Sequence, residues 1–274
     1  MTGAAPLCRL GFGVTGPHAS LFASRTATTR LVRKAIEHSI TLFDTGPAYG
    51  AGRAEKRLGD ALRGIPRDKV FLSTKAGIGS DRQRDFSPGG IEMSLKASLL
   101  RLGTTHVDLL LLHGPAPEEL TPKLLRHLDA FRERGLFHHL GICGRGAELA
   151  CAADIDAIDT VMAPLNPSLS TEALNRLERL KAAGVRIIGI EVMKGAAASA
   201  RLPLSPASAW YSARHVKHML TGQLAQRGDR SPREALSWAL DHPLADSVVS
   251  LTTKPAHLEE NARLAGLEPT GLRA

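Results

Sequence analysis

Aromatic side chains make up only 4% of this chain, with two Trp and two Tyr in 274 residues. A surface that stacks nucleic-acid bases needs such rings, so their scarcity argues against that class. Cysteine is also sparse, limited to Cys8, Cys143 and Cys151. An odd set without ligand spacing supplies neither a disulfide framework nor a metal cage, and it points to a reducing compartment. The cytoplasm is the expected location. No apolar run approaches the roughly 18 residues of a membrane span. The opening MTGAAPLCRLGFG lacks the charged head and apolar core of a secretory signal. No membrane partner is expected. A basic tail or run is missing too, although the formal net charge is +8, because Lys and Arg are interleaved with Asp and Glu. A spread excess is enough to attract an anionic cofactor or substrate, and no nucleic-acid partner is expected. No Pro/Gly-rich linker divides the chain, so residues 1–274 read as one domain.

What is present is a regular alternation. At 43% hydrophobic and 23% charged residues, the chain can bury a full core. Short apolar runs at 10–14, 41–44, 70–74, 107–112, 139–143, 160–163, 185–190 and 248–251 read as strands. Between them, 26–38, 53–62, 88–102, 120–134, a short segment from 147, 170–183, 231–241 and 255–264 read as helices. Ser87-Pro88, Ser170 and Ser231-Pro232 are helix-start signals. Alternating strands and helices favour a parallel sheet covered by helices. Eight units match the size of a (β/α)8 TIM barrel, which takes about 250 residues. An open doubly wound sheet is the alternative.

The stretch LFDTGPAYG, residues 42–50, organises the chemistry. It ends a strand on Asp44, breaks at Gly46-Pro47 and offers Tyr49. A plain turn also carries Asp, Gly and Pro, so the neighbouring strands decide the matter. The third strand ends on Lys75 (VFLSTK) and the fourth on His113 (VDLLLLH). In a parallel barrel all strand C-termini share the face that holds active sites, with neighbours about 4.8 Å apart. Asp44, Lys75 and His113 are expected to converge there, with Tyr49 reaching in. A phenol, an ammonium, a carboxylate and an imidazole suit proton exchange with a carbonyl or alcohol oxygen. The ammonium is expected to hold the phenol below its ordinary pKa near 10. Hydride transfer needs a separate redox cofactor.

On these residues the chain resembles the aldo-keto reductase superfamily. The resemblance extends through AEKRLGDALRG, ALSWAL at 235–240 and PAHLEEN at 255–261. FDTGPAYGAG and RLGDALRG look closest to the bacterial sugar and pyridoxal dehydrogenase branch. The resemblance implies a (β/α)8 barrel, a nicotinamide cofactor (NADP or NAD) without metal, and a small carbonyl or alcohol substrate. It implies Tyr49 as general acid/base, Lys75 tuning it, Asp44 paired with Lys75, and His113 positioning the carbonyl. It also implies cofactor contacts at Gly13, Asp44, Lys254, His257, Glu260 and Asn261.

The cofactor positions depart from the family pattern. Where the family has Ser-Asn after the fifth strand, GICGR puts Cys143 and Gly144. Where it has Gln on the sixth, TVMAPLN puts Met162. Ile190 or Glu191 stands for the stacking Tyr. The basic pair for a 2′-phosphate falls at Leu251 and His257, with Lys254 at a helix start, where free N–H groups favour phosphate. Gly11-x-Gly13-x-x-Gly16 fits a dinucleotide fingerprint, but Pro17 and the polar stretch after it do not open a helix. Backbone approach of Gly13 to the cofactor is the preferred reading. Cys143 is read as facing the mouth, either reactive or simply packed. His138-His139 and His215/His218 lack a completing ligand set for metal. Trp210, Tyr211 and Arg214, in the insertion after the seventh strand, are expected to wall the substrate pocket, with helix packing the alternative. The leading function is an NAD(P)-dependent oxidoreductase. The rivals are redox-neutral proton chemistry on the same four residues and a non-enzymatic binding subunit.

Overall fold

Strand residues alternate faces with period two, and this chain exploits the alternation on all sides of one sheet. A computed structural model describes residues 7–21, 24–194, 196 and 230–269. Eight parallel strands close into a barrel in sequence order: β1 (Leu10–Gly13), β2 (Leu42–Asp44), β3 (Phe71–Ala76), β4 (Val107–His113), β5 (Phe137–Cys143), β6 (Thr160–Pro164), β7 (Arg186–Ile190) and β8 (Ser247–Ser250). β8 pairs with β1, with Leu10 opposite Val248. The architecture is the (β/α)8 TIM barrel, and the open-sheet alternative falls because no edge is left unpaired.

The helices are α1 (Arg25–Glu37), α2 (Arg53–Leu62), α3 (Pro88–Leu102), α4 (Pro122–Glu133), α5 (Thr171–Ala182), α6 (Pro232–Asp241) and α7 (Pro255–Leu264). Ser24, Ser87, Thr121, Ser170 and Ser231 accept backbone N–H bonds at five helix starts. After β5 a 3-10 segment, Ala147–Asp154, takes the place of an α-helix. β5 begins two residues before the expected start at His139. Its opening histidines are polar, which hides the strand in an apolar-run reading. His138 stacks on His106 at 5.0 Å, and His139 bonds the Asp159 carboxylate at 2.9 Å.

Two apolar layers result. Leu10, Phe12, Leu72, Leu110, Leu112, Ile142, Val161 and Ile187 face the helices. Leu42, Leu109, Leu111, Cys143, Met162, Ile188 and Val249 fill the barrel interior. Glycine makes room there: a Cβ on Gly11 would lie 2.7 Å from Leu42, and one on Gly141 would lie 2.4 Å from the Thr160 oxygen. Among the described residues no helix is long and apolar enough to cross a membrane.

Candidate active site

Asp44 closes β2, Lys75 is the next-to-last residue of β3 and His113 closes β4. All three fall on the inward period, in line with Leu42, Ser73 and Leu111 respectively. The closed barrel brings them to its C-terminal mouth. Lys75 is only 1% exposed. Its Nζ donates to both Asp44 carboxylate oxygens, at 2.6 and 2.7 Å, and to the Thr45 carbonyl at 2.8 Å. Ser73 Oγ donates to Asp44 at 3.1 Å. A buried ammonium needs such acceptors to stay charged. Burial opposes its charge, but Asp44 and its neighbours outweigh that and hold Lys75 above its ordinary value.

The Gly46-Pro47 turn delivers Tyr49 onto this pair. The Lys75 Nζ lies 5.2 Å from the centre of the Tyr49 ring. Gly46 packs between them; a Cβ there would sit 3.3 Å from the Tyr49 ring and 3.4 Å from the Lys75 stem. The Tyr49 and His113 rings meet edge-on with centres 6.2 Å apart. Burial pushes the Tyr49 phenol up to about 12, with Asp44 and Cys143 adding to it and Lys75 only partly offsetting it. This corrects the expected lowering: the ammonium is present, but its charge is shared with the Asp44 carboxylate and the phenol is desolvated. His113 is pushed down to about 4 by burial, helped by the charges of Lys75, Arg145 and Arg84. Its Nδ1 is buried without a partner among the described residues. The imidazole is therefore neutral at pH 7.

The remaining positions are less uniform. Cys143 is buried in the barrel interior and its thiol is raised to about 11, chiefly by burial. Thiolate reactivity needs the opposite shift, so of its two readings the packed one holds. Met162 is equally buried beside it. Gly13 ends β1 opposite Asp44, with space for a Cβ limited by Val249 at 3.2 Å. Lys254 and His257 are exposed at the start of α7. Glu260 reaches Arg233 at 3.4 Å, whereas Asn261 is buried and donates to Ser250 Oγ at 3.3 Å. Gly16 leads into a short 3-10 turn, Gly16–Ala19, and not into the long helix of a dinucleotide fingerprint. Trp210, Tyr211, Arg214, His215 and His218 lie outside the described residues. Among the described residues no group of three or more His, Cys, Asp or Glu side chains stands close enough to hold a metal ion.

Arg84, Glu119 and Arg145 on the rim were not picked out from the sequence, and Glu191 only as a stand-in for the stacking Tyr. Arg84 donates to the Gly114 carbonyl at 2.8 Å and pairs with Glu119. Arg145 pairs with Glu191, which sits just beyond β7. The only signal for Arg145 was its place at the end of GICGR.

Comparison with known proteins agrees with this construction. The model of the aldo/keto reductase family matches residues 9–269. A D-threo-aldose 1-dehydrogenase from a Pseudomonas species is 30% identical, over 89% of this chain and 85% of its own. An aldo-keto reductase from Bacillus halodurans, solved in its holo form, superposes with a TM-score of 0.77 at 20% identity, covering 98% of this chain and 90% of that one. One from Klebsiella pneumoniae, solved in complex with NADPH, gives 0.70 at 20% identity over 97% and 88%. The chain belongs to the aldo/keto reductase family. Its dehydrogenase and reductase relatives place it among the oxidoreductases of that family.

Proposed function

We propose that this chain is an NAD(P)-dependent oxidoreductase of the cytoplasm that interconverts a small carbonyl compound and its alcohol, with Tyr49 as general acid/base. The observation that carries the reading is the buried Lys75–Asp44 pair set under the Tyr49 ring, beside a neutral His113. In the reducing direction the substrate oxygen accepts hydrogen bonds from the Tyr49 hydroxyl and from a His113 N–H. Tyr49 then passes its proton to that oxygen, and the Lys75 ammonium stabilises the phenolate left behind. Asp44 keeps Lys75 charged and oriented. In the oxidising direction the Tyr49 phenolate takes the alcohol proton.

A nicotinamide dinucleotide supplies or accepts the hydride when bound. The donor set fits such a group, though by other residues than the family's usual ones. Gly13 and Asp44 stand at the mouth, and Arg145 and Glu191 offer polar groups above the apolar Cys143 and Met162. Exposed Lys254 and His257 flank the α7 N-terminus, whose free N–H groups suit phosphate. Asn261 would serve the adenine side only through atoms left over from Ser250, and Glu260 alongside Arg233. Both NADP and NAD remain admissible on these contacts.

Fluorescence titration with NADPH and NADH, followed by a screen of small aldehydes and ketones, tests the reading. Tyr49→Phe is expected to cut kcat by about 10²–10⁴ while dinucleotide binding and the folded state persist. Full turnover in that variant, or a wild-type protein that binds neither dinucleotide, would overturn it.

A further inference from the structure

One ion pair on the rim takes no part in the proton transfer above. Arg145 lies two residues beyond β5 and Glu191 one residue beyond β7. Arg145 Nε donates to Glu191 Oε1 at 3.0 Å, and Nη2 donates to the same oxygen. β6 runs between those two strands, so the pair spans the end of β6 above Met162.

The loops that present it are built to shape. The Glu148 carboxylate accepts the Arg145 and Gly146 N–H groups at 2.6 and 3.0 Å. It occupies the space that a Cβ on Gly144 would need, only 2.3 Å away. Glu191 has φ +53°, a left-handed conformation that disfavours a residue with a Cβ. Such outliers collect at functional sites when the surroundings hold them. Here a turn bond from the Lys194 N–H to the Glu191 carbonyl, 2.9 Å, and the Arg145 pairing hold it.

The arrangement also leaves complementary valences open. Both bonds from Arg145 end on one oxygen, so Nη1 has no partner among the described residues. Glu191 Oε2 forms an ion pair with the Lys194 Nζ at 3.6 Å and has no nearer partner among the described residues. Among the described residues, an unshared donor on Arg145 thus stands beside an acceptor on Glu191 that is held only by the longer Lys194 contact. A carboxylate, which has no donor, would use Arg145 and leave the Glu191 acceptor unmatched. A neutral carboxamide would use both, through its oxygen and its NH2. Position agrees with this. A hydride donor must lie within about 3–3.5 Å of the carbon it reduces, which confines it to the mouth that Arg145 overlooks. The charge of Arg145 is felt by both Tyr49 and His113.

We propose that Arg145 and Glu191 together hold the carboxamide of the nicotinamide ring, Arg145 donating to its oxygen and Glu191 accepting from its NH2. The pair takes over a task for which the buried Cys143 and Met162 and the half-buried Ile190 have no suitable groups. This rests on the oxidoreductase reading and deepens it.

The test compares NADPH and NADH with ADP-ribose and 2′-phospho-ADP-ribose, which lack the nicotinamide. Affinities are measured by calorimetry for wild type, Arg145→Met and the isosteric Glu191→Gln, each checked for folding by circular dichroism. The expected result is a loss of about 10–100-fold for the dinucleotides in Arg145→Met, the usual worth of a hydrogen bond to a charged group. A smaller loss is expected in Glu191→Gln, and no change for the two ADP-ribose probes. Equal losses for both probe classes, or unchanged dinucleotide affinity in both variants, would overturn the proposal and leave the oxidoreductase reading standing. Wild-type protein that binds neither dinucleotide would sink both. If Arg145→Met fails to fold, Glu191→Gln alone decides, by the same comparison.

Discussion

Tyr49 is the residue whose environment sets the pH behaviour. With its phenol at about 12, it is protonated throughout the neutral range, the form that the proposed acid role requires. Oxidation of an alcohol needs the phenolate, whose fraction grows tenfold per pH unit below that value. His113, neutral above about 4, contributes no titration near pH 7. The expectation is that kcat/KM for carbonyl reduction stays level from pH 6 to 9, while that for alcohol oxidation climbs steadily with pH. A reduction profile with a midpoint near 7 would contradict the assignment. Asp44, Lys75 and His113 were legible as a group because strand-end residues on one period share one face. The Tyr49 shift was not, because desolvation depends on everything packed around the ring. The Arg145–Glu191 pair was equally hidden, since its members are 46 residues apart in sequence.

Among the elements, α2 and α3 show how tightly the helical layer is drawn together. A Cβ on Gly59 would lie 2.5 Å from the Leu102 carbonyl oxygen and 2.8 Å from its Cα. Replacing a helical glycine with alanine ordinarily gains up to about 1 kcal/mol. Here the obstacle is backbone, which cannot rotate aside, and overpacking costs about 1–3 kcal/mol. The clash wins, so Gly59→Ala is expected to lower Tm by several degrees in a thermal melt; a raised Tm would show that α2 and α3 slide apart freely. Helix starts were readable from Ser-Pro and Ser signals because an N-cap is a local device. The beginning of β5 was not readable, because its two histidines find their partners, His106 and Asp159, on other elements. The same α2 carries Glu55, fully buried, which accepts from Thr74 at 2.6 Å and Arg101 at 2.6 Å. It locks the helix to β3 directly behind Lys75.

The molecule as a whole separates its two barrel ends. Chemistry-bearing groups gather at the strand C-termini, while carboxylates at the opposite end secure the closure. Asp108 accepts the Leu72 N–H at 2.7 Å and pairs with Arg67 at 2.6 Å. Asp246 does the same for the Ile187 N–H at 2.7 Å and for Lys181 at 2.6 Å. In each case a carboxylate near the start of one strand satisfies a donor near the start of its neighbour. Asp246→Ala strands the Ile187 N–H and should cost about 1–2 kcal/mol. The expected outcome is a lower urea midpoint with dinucleotide affinity and turnover unchanged. A variant with wild-type stability, or one with impaired turnover, would show that the two ends are not separated in this way.

The sequence by itself determined the eightfold alternation, the closure it favours and the face on which Asp44, Lys75 and His113 meet. Those follow from period-two strands and parallel connection, which are local and repetitive. Only the tertiary structure decided that the Tyr49 phenol is held protonated, that Cys143 and Met162 are packed rather than available, and that Arg145 finds Glu191 beyond the end of β6. These depend on burial and on charges brought together from distant strands, and no neighbouring residues encode them.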